Sequence, residues 1–572
     1  MQRECAGWGQ DLRFIPPMKK ILYIAAAVAA TAAFTISAKK NEIQQNLNIF
    51  NQLYKELNTF YVDSIDPEKS INTAIEAMLD DIDPYTEYIP EKEQENLHRK
   101  TTGEYAGIGS YIMQRDGDVF ISGPNEGSPA QLAGLRPGDR IVVIDNDTVL
   151  GMKSDEVSKR LKGPAGTQVR VTVARPYVGA DSVLTFDITR RKIQEPSVTW
   201  SGVVRDHLGY IYLSSYTDKS ADEVRKALLD FKANPEVKGV VLDLRGNGGG
   251  LVDAAVKILG YFLPAHTEVI RTRGKGPLNE KIYKTSGQPI MPDMPLFVLI
   301  DGGTASASEI TAGALQDLDR AVIIGNRSFG KGLVQSTREL PYNNLLYVTV
   351  AKYYLPSGRL IQAIDYSRRN PDGSVARIPD SLANVFKTRH GREVRDGGGI
   401  TPDVNITRPE GSRLVYNIVR DNWAFDYANR YRATHDTIAP ALDFVITDSI
   451  YADFKRSIDP EKFEYDKVCE VMLERMRQTA ETEGYMNDST KAEFDVLAGL
   501  LKHDLQRDLD THRKEIEPFL AGEIAERYYY QKGRVQSQLR DDPDLDKAAE
   551  ILASQDYTTI LSPSKTDKKK AK

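Results

Sequence analysis

The chain is poor in the side chains that bind metals and form disulfides. Its 572 residues include two cysteines and seven histidines. Cys5 lies near the N-terminus, so Cys469 would be the single thiol once an N-terminal leader is removed, and no internal disulfide could form. No HExxH pattern or His/Cys cluster is present. The formal net charge of −6, with both signs interspersed, argues against nucleic-acid binding as the main role. We therefore expect no metal, no cofactor and no nucleic-acid partner.

The first 38 residues have the pattern of an export signal. Lys19 and Lys20 precede an apolar run of 16 residues, Ile21–Ile36. This run is shorter than the roughly 20 residues of a membrane-spanning helix, and a positive region followed by such a run is typical of a signal peptide. The residues before Met18 fit no targeting scheme, so we expect translation to start at Met18 rather than Met1. No A-x-A cleavage site follows, so an uncleaved anchor stays open; in a bacterium, either form places the protein in the periplasm.

One serine lies on a predicted strand-to-helix turn. The apolar run Pro295–Ile300 indicates a buried strand, and the periodic stretch Glu309–Leu318 indicates a helix. Between them, Ser306 presents its hydroxyl beside the free N–H groups of the first helical turn. Ser308 is the competing nucleophile, but in a turn or extended segment it faces away from Ser306. We expect Ser308 to be structural.

One lysine lies on a glycine-flanked loop after the next predicted strand. A free lysine has a pKa of about 10.4 and is a poor base at neutral pH, but burial in an apolar site lowers that pKa. Phe329, Leu333 and Val334 are expected to form an apolar wall around Lys331. A base that takes the proton of Ser306 makes it a nucleophile. The pair therefore predicts a Ser–Lys hydrolase. The alternative is that Ser306 only caps the helix and that Lys331 is exposed to solvent.

These two loops resemble those of the C-terminal processing peptidases, also called tail-specific proteases. The resemblance is carried by Thr304–Ile310 and Gly325–Gln335, which occur in the family's order and spacing. It implies that Ser306 is the nucleophile, that Lys331 is the base and that Gln335 positions the lysine. It also implies a serine endopeptidase with an α/β core of the ClpP/crotonase type, acting through an acyl-enzyme.

A glycine-rich turn supplies candidate donors for an oxyanion. The predicted buried strand Val237–Arg245 ends in five residues, 246–250, four of them glycines, before a helical pattern. A phosphate loop is rejected because the chain lacks G-x-x-x-x-G-K-[ST]. The family resemblance places one oxyanion donor at the N–H of Ala307 and the other in this turn. Gly248 stands where the family commonly has proline, so Gly248 and Gly249 both stay candidates.

An upstream β-rich module, residues 101–192, resembles a PDZ domain. Its most specific string is Ala133–Ile141. Gly107, Ile108 and Gly109 are expected to turn successive N–H groups toward the terminal carboxylate of a peptide, which would add to the sheet edge as an extra strand. The family resemblance implies substrates with free apolar C-terminal tails. A β-rich spacer without a ligand is the alternative.

The remaining segments complete a multidomain α/β organisation. Residues 39–100 are expected to form an N-terminal helical region, in which Leu79–Thr86 resembles the family's segment ahead of the PDZ domain. The peptidase core is predicted over 193–408. Residues 409–572 have helical periodicity and end in a short basic tail, which predicts an α-helical C-terminal domain. This domain either packs on the core or binds a second copy or a regulatory partner.

Two other functions stay open at this stage. One is a scaffold that binds peptide tails while its protease core is inactive, which the intact set Ser306, Lys331 and Gln335 disfavours. The other is an acyl-CoA-type enzyme, because glycine-rich oxyanion turns also follow parallel strands there. An exported chain with a peptide-binding module is a poor setting for a CoA ester.

Overall fold

The computed structural model describes residues 41–176, 182–205, 207–276, 279–370, 374–408, 411–554 and 556–562. The predicted leader and both candidate start residues lie outside the described residues. The chain divides into two compact units, up to Asp81 and from Ile82 onward. None of the helices in the described ranges is long and apolar enough to span a membrane.

The first unit is helical. Residues 41–60 form α1, and Pro67–Asp80 forms α2. Helix α2 begins at a capped terminus, because the carboxylate of Asp66 accepts the N–H of Lys69 and proline occupies the first helical position.

The second unit begins with a departure from the expected helical region. Glu87–Ile89 is a strand, β1, followed by a short 3-10 turn at Glu91–Glu93 and by α3, Gln94–Thr102. The carboxylate of Asp83 accepts the N–H groups of Tyr85 and Thr86, and the Pro84 between has no N–H to continue a helix. This turn directs β1 into a sheet of the peptidase core.

The module predicted to be a PDZ domain is an antiparallel sheet with two short helices. Its elements are β2 Glu104–Gly107, β3 Ser110–Arg115, β4 Asp118–Pro124, α4 Pro129–Ala133, β5 Arg140–Ile144, β6 Asp147–Thr148, α5 Ser154–Leu161, β7 Gln168–Arg175, β8 Ser182–Thr189 and β9 Arg191–Gln194. The sheet order is β3-β4-β5-β7-β8, with β6 on β5, and β2 pairs with β9. Strand β3 is therefore an edge strand of this sheet.

The region predicted to be the peptidase core is built on a largely parallel sheet. Its elements are β10 Val198–Val204, β11 Leu208–Leu213, α6 Ser220–Ala233, β12 Gly239–Asp243, α7 Val252–Leu259, β13 Glu268–Gly274, β14 Glu280–Lys284, β15 Leu296–Ile300, α8 Ala307–Asp317, β16 Val322–Gly325, β17 Leu333–Glu339, β18 Leu345–Tyr354, β19 Ile364–Arg369, β20 Val375–Arg377, a 3-10 turn at Asp380–Leu382, β21 Val385–Lys387, β22 Glu393–Arg395 and β23 Val404–Asn405. The main sheet has the order β10-β11-β12-β15-β16-β23. Strands β12, β15 and β16 are buried along their whole length, as their continuous apolar runs predict.

A second, antiparallel sheet lies beside the main one in the core. Its order is β1-β18-β13-β14, and β17 also pairs with β18. The lysine loop, residues 326–332, carries Lys331 and connects β16 of the first sheet to β17 of the second.

The C-terminal domain is helical. Its helices are α9 Arg413–Arg420, α10 Trp423–Thr434, α11 Asp448–Ser457, α12 Val468–Thr482, α13 Asp488–Leu501, α14 Leu505–Thr511, α15 Arg513–Gln538, α16 Pro543–Ser554 and α17 Tyr557–Ile560. Leu545 and Ile551 of α16 pack with Phe297 and Val322 of the core sheet. Helix α16 thus covers one face of the peptidase sheet.

Candidate active site

Ser306 lies at the turn between β15 and α8, as the sequence predicts. Its backbone has φ 55° and ψ −115°, a positive-φ conformation that is strained for a residue with a side chain. Ser308 is buried, and its hydroxyl donates to the backbone carbonyl of Asn247 at 3.0 Å. Ser308 therefore connects two turns of the backbone, in line with the structural role expected for it.

Lys331 is half-buried, with its amine beneath an aromatic ring. The Nζ atom lies 4.1 Å from the ring centroid of Tyr85. Burial lowers the pKa of Lys331, against the opposing pull of the carboxylates of Asp83, Glu87 and Glu309. A lowered pKa favours the neutral amine that a general base needs.

The ring over the amine is not among the residues expected around the lysine. Phe329, which was expected in that apolar wall, is 38% exposed. Tyr85 comes from the segment ahead of the PDZ domain, about 250 positions earlier in the chain. Its signal in the sequence was its place in the family-like string Leu79–Thr86.

The carboxylate of Glu309 joins the serine turn, which carries Ser306 between β15 and α8, to the lysine loop. Oε2 accepts the N–H groups of Ser306 at 2.9 Å and Lys331 at 2.8 Å. Oε1 accepts the N–H of Gly330 at 2.8 Å and the hydroxyl of Ser328 at 2.5 Å. Glu309 is fully buried, and its burial raises the pKa of this carboxyl to about 7.

Sequence reasoning did not assign a role to Glu309, although a signal was present. Ser306 and Glu309 have the S-x-x-E spacing of a capping box, in which the glutamate reaches back to the N–H of the cap residue. The contacts with the lysine loop could not be found in that spacing, because they join residues some 20 positions apart.

A tyrosine hydroxyl makes a second connection between the two loops. Tyr353 donates to the carbonyl of Lys331 at 2.7 Å and lies 3.3 Å from that of Ser306. Within the described residues, no direct hydrogen bond joins the Ser306 hydroxyl to the Lys331 amine. The two loops are brought together through their backbones, by Glu309 and Tyr353.

Gln335 is held by a neighbouring strand. Its amide Nε2 donates to the hydroxyl of Thr349 at 3.2 Å, and the N–H of Thr349 donates to the hydroxyl of Thr86 at 3.3 Å. This bond turns the amide carbonyl away from Thr349 and leaves it as an acceptor. That Gln335 positions Lys331 stays a prediction.

The glycine-rich turn lies against the serine turn. The carbonyl of Asn247 accepts the N–H of Ala305 at 3.0 Å, and the buried side chain of Asn247 bonds to Leu213. A Cβ atom at Gly249 would lie 2.8 Å from the N of Ala307, so only glycine fits there. The close approach brings both predicted oxyanion segments to one place.

The two glycines that stayed open differ in their N–H groups. Gly249 donates its N–H to the side chain of Asn247 at 2.9 Å. Among the described residues, the N–H groups of Gly248 and Ala307 have no hydrogen-bond partner. The geometry therefore favours Gly248 and Ala307 as the pair of oxyanion donors, and their role stays a prediction.

The predicted peptide-binding glycines lie where β2 passes into β3. Gly107 ends β2 opposite Arg191, while Ile108 and Gly109 form the connection. The carbonyl of Ile108 accepts the N–H of Ala130, which fixes this connection to α4. Strand β3 follows directly and has one strand partner, β4, so its other edge is available to an added strand within the described sheet.

No group of three or more His, Cys, Asp and Glu side chains is arranged to bind a metal in the ranges that the structure describes.

Comparison with known proteins identifies the family. Residues 207–375 match Peptidase family S41, residues 120–175 match a PDZ domain, and residues 414–552 match the family described as "Probable PDZ-protease, C-terminal helical domain". The chain is 34% identical over 356 residues to a carboxy-terminal-processing protease of Bartonella bacilliformis, covering 61% of this chain and 81% of that relative. The chain belongs to the carboxy-terminal processing proteases of peptidase family S41.

Two further relatives extend the comparison. This carboxy-terminal processing protease is 31% identical over 423 residues to a probable CtpA-like serine protease of Staphylococcus haemolyticus, covering 72% of this chain and 82% of the relative. The solved structure of a photosystem II D1 C-terminal processing protease is 29% identical, with a TM-score of 0.34, covering 62% of this chain and 86% of the other.

The family assignment confirms three expectations from the sequence. The chain is a serine-type carboxy-terminal processing protease. It combines a helical N-terminal region, a PDZ domain, a peptidase core and a helical C-terminal domain. A PDZ domain in such a protease supports binding of peptide substrates. The glycine-rich turn is therefore explained by the protease family and not by an acyl-CoA-type enzyme.

Proposed function

We propose that this protease is an exported endopeptidase that binds the C-terminal tails of proteins through its PDZ domain and cleaves them with a Ser306–Lys331 dyad. The observation that carries the proposal is the Glu309 carboxylate, which accepts the backbone N–H groups of both residues. A single buried acceptor thus holds the backbones of the proposed nucleophile and the proposed base next to each other. The lowered pKa of Lys331 supports its role as the base.

The proposed reaction proceeds through an acyl-enzyme. Neutral Lys331 takes the hydroxyl proton of Ser306 as its oxygen attacks the scissile carbonyl, and the N–H groups of Gly248 and Ala307 bind the developing oxyanion. Lys331 then gives the proton to the leaving amine. A water molecule, activated by the same lysine, attacks the ester and releases Ser306. The carbonyl of Gln335 accepts from the lysine amine and directs it.

The tail of the substrate engages the PDZ domain in this proposal. The tail adds as a strand beside β3, and its free carboxylate lies at the N–H groups around Ile108 and Gly109. Apolar tail side chains would contact the surface between β3 and α5. Binding at the PDZ domain holds the rest of the unfolded substrate near Ser306.

Export is the part of the proposal that rests on the sequence alone. The N-terminal leader directs the chain out of the cytoplasm, and the mature protein is either released or held by the uncleaved leader. The N-terminal sequence of the native protein, with its distribution between periplasmic and membrane fractions, tests both the start at Met18 and the cleavage. A native protein found intact in the cytoplasm would contradict export.

The dyad is tested with purified residues 39–572 and an unfolded protein bearing an apolar C-terminal tail. We expect Ser306→Ala and Lys331→Ala each to abolish cleavage while the tail is still bound. Ser308→Ala removes the competing hydroxyl of the same turn, and because that hydroxyl donates to the carbonyl of Asn247, cleavage should fall but not be lost. Ser201→Ala, at an exposed serine of the same domain, is the matched control, and its cleavage should equal that of the wild type. Full activity of Ser306→Ala would show the assignment to be wrong.

Tail recognition needs a separate control. The same substrate with its terminal carboxylate converted to an amide should bind more weakly and be cleaved more slowly at limiting concentrations. Equal cleavage of acid and amide would contradict carboxylate recognition while leaving the dyad intact.

A further inference from the structure

A segment far from the catalytic loops in sequence forms part of their surroundings. Strand β1 pairs with β18, with Glu87 opposite Tyr347, and so brings the preceding turn into the peptidase core. At that turn, the ring of Tyr85 lies over the Lys331 amine at 4.1 Å. The segment precedes the PDZ domain in the chain and yet contacts the proposed base.

The turn is held rigidly by its own side chains. The buried carboxylate of Asp83 accepts the N–H groups of Tyr85 and Thr86, both at 2.8 Å, and the hydroxyl of Thr86 at 3.1 Å. Tyr366 meets the Tyr85 ring edge-on, with centroids 5.9 Å apart, and its hydroxyl donates to that of Tyr85 at 3.3 Å. The Tyr85 ring is therefore fixed at its backbone and at its hydroxyl.

The same turn also reaches Gln335. The hydroxyl of Thr86 accepts the N–H of Thr349, whose own hydroxyl accepts the amide of Gln335. One short segment thus contacts both residues assigned to the lysine side of the dyad, directly through Tyr85 and indirectly through Thr349.

We propose that Tyr85 is a positioning residue of the peptidase, whose ring covers the Lys331 amine and keeps water from it. The inference rests on the Ser–Lys dyad proposed above. Tyr85 neither exchanges protons with the substrate nor contacts the scissile bond in this proposal. Its effect on the reaction passes through Lys331.

The charges around the lysine explain why a cover is needed. Asp83 and Glu87 face Lys331 from the segment itself and Glu309 faces it from α8, and all three carboxylates favour the ammonium form; Lys100 of α3 opposes them. An aromatic face also favours the cation. Burial is the largest influence and favours the neutral amine. Removing the cover while leaving the carboxylates should therefore protonate the base.

Three substitutions separate the apolar bulk of the Tyr85 ring from the attraction of its aromatic face for a cation. Tyr85→Phe keeps both and should retain kcat/KM within about threefold. Tyr85→Leu keeps apolar bulk without the face, and the acid limb of its pH profile should stay or move to lower pH. Tyr85→Ala admits water, so its acid limb should move to higher pH, with kcat near pH 7 reduced about tenfold for each pH unit of movement and KM little changed. An unmoved limb in Tyr85→Ala would overturn the proposal.

A direct titration keeps this inference separate from the dyad. In a Ser306→Ala background, the pH dependence of Lys331 acylation by acetic anhydride, followed by mass spectrometry of the peptide that contains it, reports the basicity of the amine without any turnover. We expect Tyr85→Ala to shift this labelling curve to higher pH and Tyr85→Leu not to. Loss of activity in Tyr85→Ala with an unshifted curve would show a structural role only and overturn the proposal. If instead Lys331→Ala retained full cleavage, the dyad itself would be wrong.

Discussion

The candidate active centre and the hairpin of helices α12 and α13 differ in the side chains that they bury. The first buries a charged side chain, and the second leaves apolar side chains exposed. In the active centre, Glu309 is fully buried and both of its oxygens accept hydrogen bonds. In the hairpin, Met472 and Met476 are 66% and 54% exposed, and Phe494 is the buried residue of the two helices. The contrast teaches that polarity alone does not decide depth in this chain. Glu309 is buried where partners satisfy both of its oxygens, and the two methionines are exposed where no described element covers them.

The largest expected effect comes from breaking the active centre at its acceptor. Glu309→Ala leaves four donors without an acceptor: the N–H groups of Ser306, Gly330 and Lys331 and the hydroxyl of Ser328. Since an orphaned buried donor costs about 1–3 kcal/mol, we expect the core to lose about 4 kcal/mol or more. Cleavage should fall at least about 100-fold as the two loops separate.

Tryptophan fluorescence in urea can report on the core separately. Residues 39–572 contain two tryptophans, Trp200 in β10 and Trp423 in α10, so a Trp423→Phe background leaves a probe of the core alone. Glu236→Ala, an exposed glutamate of the same domain, is the control and should change stability by less than about 0.5 kcal/mol. Equal stability of the two variants would contradict the role given to Glu309.

The next effect tests whether a buried polar cluster also fixes the helical domain to the core. Arg245 bonds Asp243 within the core and reaches Asp542 at 2.6 Å and Asp544 at 3.0 Å in the C-terminal domain. All three carboxylates are buried. Arg245→Met should destabilise the protein by about 3–5 kcal/mol, because it leaves buried charges with too few partners.

Removing two of the three carboxylates sharpens this test. Adding Asp542→Asn and Asp544→Asn to Arg245→Met should recover part of the loss, since Asp243 is then the one buried carboxylate left without its Arg245 partner. Arg456→Met, which removes an exposed ion pair with Asp453, is the control and should cost less than about 1 kcal/mol. No recovery in the triple variant would mean that the loss comes from packing rather than charge.

The raised pKa of Glu309 predicts a pH dependence of stability. Burial raises this pKa from 4.5 to about 7, so the folded protein binds the proton more tightly than the unfolded chain. The contribution of this group to the free energy of unfolding therefore falls as pH rises from 4.5 to 7, by about 3 kcal/mol over that interval. Glu309→Gln removes the titration, so the stability difference between wild type and variant should shrink across it. Glu236→Gln should leave the wild-type slope, and an unchanged slope in Glu309→Gln would contradict the prediction.

What the sequence could predict about the site follows from distance along the chain. Ser306 and Lys331 lie in loops whose glycines and flanking strands are local features, and Ser308 could be set aside on the geometry of one turn. The glycine-rich turn proposed to bind the oxyanion was also predicted from local features. The choice between Gly248 and Gly249 depends on the hydrogen bond that the N–H of Gly249 donates to the side chain of Asn247, which forms only in the folded turn. Tyr85 and Tyr353 act across long separations in sequence, so no periodicity or spacing near the loops could indicate them.

The elements of the fold also divide into those that their own residues predict and those that depend on residues distant in the chain. Buried strands such as β12, β15 and β16 were predicted because their apolar runs depend on their own residues. Strand β1 was expected to be helical, because its three residues become a strand only by pairing with β18. The helical C-terminal domain was predicted from periodicity, but periodicity could not tell which of its apolar faces would be covered.

The smallest expected effect tests whether the exposed side chains of the α12–α13 hairpin are uncovered in solution. Met472→Lys and Met476→Lys replace exposed side chains, so each should change the free energy of unfolding by less than about 0.5 kcal/mol. Leu520→Ala is the matched control in the same domain, and because that side chain is buried it should cost about 2–5 kcal/mol. With Trp423 as the probe, both can be measured in one urea series. A loss of more than about 1 kcal/mol at Met472 would mean that the hairpin is covered in solution. Light scattering of the same variant would then show whether a second copy covers it, because a dimer held by this face should dissociate when a lysine is placed there.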